Sequence, residues 1–156
     1  MTTQTSCYHC GMDPRAPSKG RSLPQHKRYF AMIKALYHHW PESASFQPVT
    51  EEELRAWLQA KAGHREVAAR IPIDGLTSDQ ARMIAEGFLT AARKTGGYAW
   101  PVAVGSDLVV VMSKSIAFGK LPHGEACKLF DEVAAVAEAE TGLNIEAVMR
   151  ETEKAA

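Results

Sequence analysis

Tyr98-Ala-Trp-Pro-Val-Ala-Val104 and Leu108-Val-Val-Val-Met112, joined by Gly105-Ser106-Asp107, decide the fold class. Both runs are β-branched, aromatic and apolar, and a Gly-Ser-Asp link between them is hairpin chemistry, so the stretch predicts two antiparallel strands. The strongly periodic segments elsewhere are helical. The hairpin therefore makes the chain α+β rather than all-α, with about five helices packed with a small antiparallel sheet.

Working outward from the hairpin, Thr77 with Gln80 three positions later is a capping box for a helix that closes at Gly96-Gly97. Before it, Glu66 to Ile73 alternates weakly through Val67, Ile71 and Ile73 and predicts a short strand. Thr50 and Glu53 form a second capping box, opening a helix from Glu51 to Ala62 that ends at Gly63. On the C-terminal side a helix from Gly124 to Glu140 stops at Gly142, with Ala126, Leu129, Phe130, Val133, Ala134, Val136 and Ala137 as its apolar arc. A last helix, Ile145 to Glu153, is amphipathic through Ile145, Val148 and Met149.

The first helix runs from Ser22, an N-cap residue with Pro24 in the first turn, to Trp40, where Pro41 stops it. At 100° per residue Leu23, His26, Tyr29, Phe30, Ile33, Leu36, Tyr37 and Trp40 share one arc of about 140°, which predicts the core face. Lys27, Lys34 and His38 form a narrow stripe beside that arc. Arg28 and His39 fall further round.

The 156 residues are 46% hydrophobic, enough for one globular domain over residues 22–156. Residues 1–21 are Thr, Ser, Gly, Pro and basic side chains with almost no aliphatic surface, which reads as a flexible basic arm. The longest apolar run, Leu108 to Met112, is far too short to cross a membrane, and no signal-peptide pattern is present, so a cytoplasmic location is expected. Eighteen basic and eighteen acidic residues hide an asymmetry. Arg15, Lys19, Arg21, Lys27, Arg28 and Lys34 stand in a stretch without an acid, whereas Glu125 to Lys154 holds eight acids against three bases. The split suits a surface for a polyanion, or two patches that pair within an oligomer.

Three cysteines, Cys7, Cys10 and Cys127, argue against a disulfide framework of the secreted kind. Cys7-Tyr-His-Cys10-Gly11 has the spacing of half a zinc knuckle, so zinc is a possible cofactor held by Cys7 and Cys10. The remaining ligands would come from His9, a histidine of the body or the same pair of a second chain; the alternative is two thiols with no structural role. Cys127 lies at the edge of an apolar arc and reads as packing. His26 falls inside the first helix's core arc, and His38-His39 suit the negative end of the helix dipole.

The chain has no Gly-rich phosphate loop after a strand, no Gly-x-Ser-x-Gly elbow and no His-Glu-x-x-His. Asp74 and Asp107 are the acids off the helices, and turn chemistry accounts for both. Nothing in the residues asks for an enzyme. Single-stranded nucleic acid is held by cations on phosphates and aromatics that stack bases. Lys19, Arg21, Lys27, Arg28 and Lys34 supply the cations; Tyr29, Phe30, Tyr37 and Trp40 read as core, leaving Tyr8 as the freer aromatic.

Gly20-Arg-Ser-Leu-Pro-Gln-His-Lys-Arg-Tyr-Phe30 resembles the entry to the first helix of phage recombination proteins of the NinB/Orf family, and more closely a related phage family of unknown function. Ser113-Lys-Ser-Ile-Ala-Phe-Gly-Lys120, followed by Gly124-Glu125 and a helix ending Glu140-Thr-Gly142-Leu143, is similar to that family's Ser-rich strand end, turn and closing helix. Together the patches span residues 20–150, although the chain carries the cysteine arm where the family has an apolar strand. The resemblance implies a non-enzymatic recombination or replication accessory, a homodimer that binds single-stranded DNA and a host single-strand binding protein. It matches Arg21, Ser22, Gln25, Lys27, Arg28, Ser113, Ser115 and Gly124. Of these, Arg21, Lys27 and Arg28 are expected on phosphate, with Lys114 and Lys120 extending the surface, while Ser22 and Gln25 fit a capping box. The residues leave two other readings open: a protein-interaction module acting on a host factor without DNA, and a metal-dependent nuclease using Asp74, Asp107 or histidines.

Overall fold

The computed structural model describes residues 23–116 and 121–155. Among them the chain is α+β: helices α1 (Leu23–His39), α2 (Glu51–Lys61), α3 (Ser78–Lys94), α4 (His123–Thr141) and α5 (Ile145–Ala155), and strands β1 (Arg65–Pro72), β2 (Ala99–Val104) and β3 (Asp107–Ser113). The strands form one antiparallel sheet in the order β1-β3-β2. Contacts divide the described chain into two compact units, one ending at Glu51 and resuming at Ser115, the other running from Glu52 to Lys114.

Strand order in the second unit follows from proline. Pro101 in β2 and Pro72 at the end of β1 cannot donate to a ladder, so both strands belong on edges, and the proline-free β3 takes the centre. The β2–β3 hairpin turns at Gly105, whose φ of 59° is the conformation a tight hairpin turn requires of a residue without a Cβ. Because side chains alternate, Ala99, Val110 and Met112 share one face with Ala69, and α3 packs Phe88 and Ala92 onto it. The other face carries Trp100, Val102, Val104, Val109 and Val111. A bulge between Val67 and Ala69 breaks the alternation in β1, so Val67, opposite Val111, stands on that second face and Ala69, opposite Val110, on the first.

α3 begins as the sequence predicts: Gln80 N–H donates to Thr77 Oγ1 at 3.2 Å and Thr77 N–H donates to Gln80 Oε1 at 2.9 Å. In α2, Glu53 is drawn into a different bond. Its carboxylate, 2% exposed, accepts from Arg93 Nε of α3 at 3.0 Å. The same pair surrounds Tyr98, whose phenol is held above its ordinary range first by burial and then by the Glu53 charge, with Arg93 opposing.

In the first unit α1 packs against α4 and α5. Tyr29 and Phe130 stack with centroids 3.8 Å apart and planes 9° from parallel, both without solvent exposure. Gln25, Tyr29, Met32, Ile33, Ala35 and Leu36 are the buried residues of α1. This face is turned by about 80° from the predicted arc, at 100° per residue. Phe30, placed in the core by periodicity, is instead 37% exposed, and His26 is half-buried with its ring tilted over Phe30 at a centroid distance of 4.6 Å. Gln25 causes the turn: its amide reaches α4 rather than capping α1, donating to Cys127 Sγ at 2.9 Å. After Pro41 the chain is tied back by Trp40 Nε1–H to Phe46 O at 2.7 Å and Tyr37 O–H to Val49 O at 3.0 Å. α4 ends at Gly142, φ 70°, and α5 buries Ile145, Val148 and Met149 as its pattern requires. Among the described residues no helix is long and apolar enough to cross a membrane.

Candidate functional site

On α1, Lys27 and Lys34 are separated by seven residues, two helical turns, and so project from nearly the same outward line. Both are exposed, and among the described residues neither side chain enters an ion pair or hydrogen bond. Phe30 stands between them, three residues after Lys27 and four before Lys34, so the three side chains are neighbours on the helix surface. The rotation of α1 that brings Gln25 inward is what turns Phe30 out. The helix thus presents an aromatic ring between two cations, the pairing that single-stranded nucleic acid uses for bases and phosphates. Arg28 turns the other way and is half-buried. His39, also on the inner side, contacts Ala35 O through Nδ1 at 2.9 Å and has Glu151 of α5 at 3.7 Å from Nε2.

The second unit carries a surface the sequence reading missed. The sheet face opposite α3 forms an open groove of about 330 Å³ lined by Arg65, Trp100, Val102, Val104, Val109 and Val111. Val102 and Val104 remain 44% and 49% exposed. At one end Trp100 stacks on Trp57 of α2, with ring centroids 6.3 Å apart, and the edge of Tyr98 meets it at 6.0 Å. The Lys61 ammonium lies 5.2 Å from the Trp57 ring and 5.8 Å from Trp100, within cation–π range. Arg65 pairs across the sheet with Ser113, which sets Lys114 beside it as the strand leaves. Lys114 N–H donates to His64 O at 3.0 Å while its side chain is exposed. The antiparallel register therefore sets Arg65 in the groove beside Trp100, while Lys61 at the end of α2 lies over the two indoles. Lys114 was named from the sequence, but Arg65 was not, and its place beside Ser113 depends on pairing across the sheet.

Lys19, Arg21, Lys120, Cys7 and Cys10 lie outside the described residues, as do Tyr8 and His9. Among the described residues no three His, Cys, Asp or Glu side chains surround a common point. Asp107, one of the two acids set aside for turn chemistry, is taken up by Arg70 Nη1 at 2.9 Å across the sheet, and Asp74 is exposed in the turn before α3. Cys127 is buried in the core, as expected for a packing residue, beside His123 and Gln25, and its sulfur is in a disulfide. No family model, no curated protein and no solved structure matches this chain.

Proposed function

We propose that the protein binds single-stranded DNA without turning it over, as an accessory to phage-type recombination or replication. The observation that carries the reading is Phe30, exposed on α1 between Lys27 and Lys34. An exposed aromatic ring costs hydrophobic free energy that burial would recover, and flanking it with two cations gives it a use that a core residue lacks. The Trp100 groove with Lys61 and Arg65 supports the same chemistry in the second unit. Arg28 is half-buried, further round the helix from Lys27 and Lys34. A host single-strand binding protein and a second copy of the chain are the partners that accompany this reading.

A salt series with a fluorescent oligonucleotide tests it. Each phosphate contact on a single strand contributes about 0.7 to the slope of log affinity against log salt, so Lys27→Ala with Lys34→Ala should flatten the slope by about 1.4. Phe30→Ala should weaken binding at every salt concentration and leave the slope unchanged. Parent-like binding by both variants would remove α1 from the interface. The exposed valines of the groove favour one competing reading, a docking face for a host protein. That reading expects a partner whose affinity is nearly independent of salt and no oligonucleotide binding.

A further inference from the structure

The exposed line of α1 does not stop at its second lysine. At 100° per residue, positions 27, 34 and 38 fall within about 40° of one another, so His38 continues the line one turn past Lys34, about 6 Å further along the axis. The His38 side chain is exposed, as are those of Lys27 and Lys34, and Ala31 between them carries only a methyl group. Phe30 borders the line on one side. Among the described residues His38 enters no hydrogen bond or ion pair, and its ring meets that of Tyr37 edge-on, with centroids 5.9 Å apart.

The acids brought to this end of α1 are directed elsewhere. α5 places Glu151 3.7 Å from Nε2 of His39, whose Nδ1 contacts Ala35 O at 2.9 Å. α4 places Glu140 where it accepts from Ser45 Oγ at 3.3 Å, in the loop after the helix. Glu42 stands exposed in that loop, and Lys34 lies one turn back on α1 itself. None of these pairs with His38. The ring is therefore presented to solvent in line with two cations, as a residue reserved for an external partner would be.

We infer that His38 is the third phosphate contact of the α1 surface and makes its grip on single-stranded DNA depend on pH. The inference rests on the single-strand reading of Lys27, Phe30 and Lys34. Histidine is the side chain that ordinarily changes charge between about pH 5 and 8. As imidazolium it offers N–H donors and a positive charge to a phosphate; as neutral imidazole it releases no counterion. A phosphate in turn favours the protonated ring, so affinity rises as pH falls. Other histidines and the α-amino group titrate in the same range, so substitution assigns the effect.

Fluorescence anisotropy of the full chain with a labelled oligothymidylate, in salt series at about pH 5.5 and about pH 8, decides it. The parent slope of log affinity against log salt should be steeper in acid by about 0.7, one further phosphate contact. His38→Gln should show the shallower slope under both conditions, and His38→Lys, positive throughout, the steeper slope under both. His39→Gln should keep the parent's pH dependence. A parent slope that ignores pH, a pH dependence that survives His38→Gln, a His38→Lys slope that still changes with pH, or a dependence lost in His39→Gln would each overturn the inference. The single-strand reading itself then stands if Lys27→Ala with Lys34→Ala still flattens the slope, whereas no binding under either condition removes both.

Discussion

Two aromatic pairs, one in each unit, show how differently the same side chains are used. Tyr29 and Phe130 lie flat against each other between α1 and α4, sealed from water. Trp57 and Trp100 meet less closely, under a lysine ammonium, at the edge of a groove in which Val102 and Val104 stay half in solvent. A sealed pair contributes its burial to stability. A pair at an open edge leaves part of Trp100 for a ligand, with Lys61 and Arg65 as well as valines round it.

Phe130→Ala should produce the largest stability loss, about 4 kcal/mol, because a large side chain is removed from a filled interior that cannot collapse fully around the gap. Denaturant titration measures it, and a loss under about 2 kcal/mol would mean that the Tyr29–Phe130 contact is looser than it looks. Arg93→Ala strips the guanidinium from the buried Glu53 carboxylate and should cost about 1.5–3 kcal/mol, the range for a hydrogen bond to a charged group. Trp100→Ala should separate the two pairs most directly. Its stability cost should be smaller than that of Phe130→Ala, while oligonucleotide affinity falls by about 1–3 kcal/mol, the value of one base stacked on an aromatic ring. Equal affinity in parent and variant would make the groove a packing defect rather than a platform.

Thr77→Ala removes one side of the α3 capping box and should cost about 1 kcal/mol in thermal or chemical melts. The smallest effect concerns Tyr98. Its phenol is raised above the ordinary 10 chiefly by burial, so its neutral form is favoured in the folded chain. The stability this gives is complete below pH 10 and is lost as pH climbs through the raised value. Ultraviolet titration of parent against Tyr98→Phe should assign a late-ionising step to Tyr98, and the substitution should abolish both that step and that part of the alkaline loss.

The elements themselves were readable because they are set by interactions within a few residues. Thr77 and Gln80 cap α3 by bonds three positions apart, Gly142 stops α4 by adopting a left-handed φ, and Gly105 closes the β2–β3 hairpin. Ile145, Val148 and Met149 mark the only face that α5 could bury. The prolines at 72 and 101 further constrained the sheet, since an edge is the place where a missing N–H costs nothing.

What a local pattern leaves open is the direction in which a broad apolar arc points. α1 is apolar over so much of its circumference that a turn of about 80° leaves an acceptable face inside. Only the partner helix selects between them, through Gln25 reaching Cys127, 102 residues away. That selection buries Gln25 and Tyr29 and exposes Phe30 between Lys27 and Lys34. The basic cluster at Arg65 and Lys114 likewise exists only once β1 and β3 are in register. Sequence determines what each residue can do; contact between distant elements decides which residues meet, because the free energy that aligns them resides in packing across the core rather than along the chain.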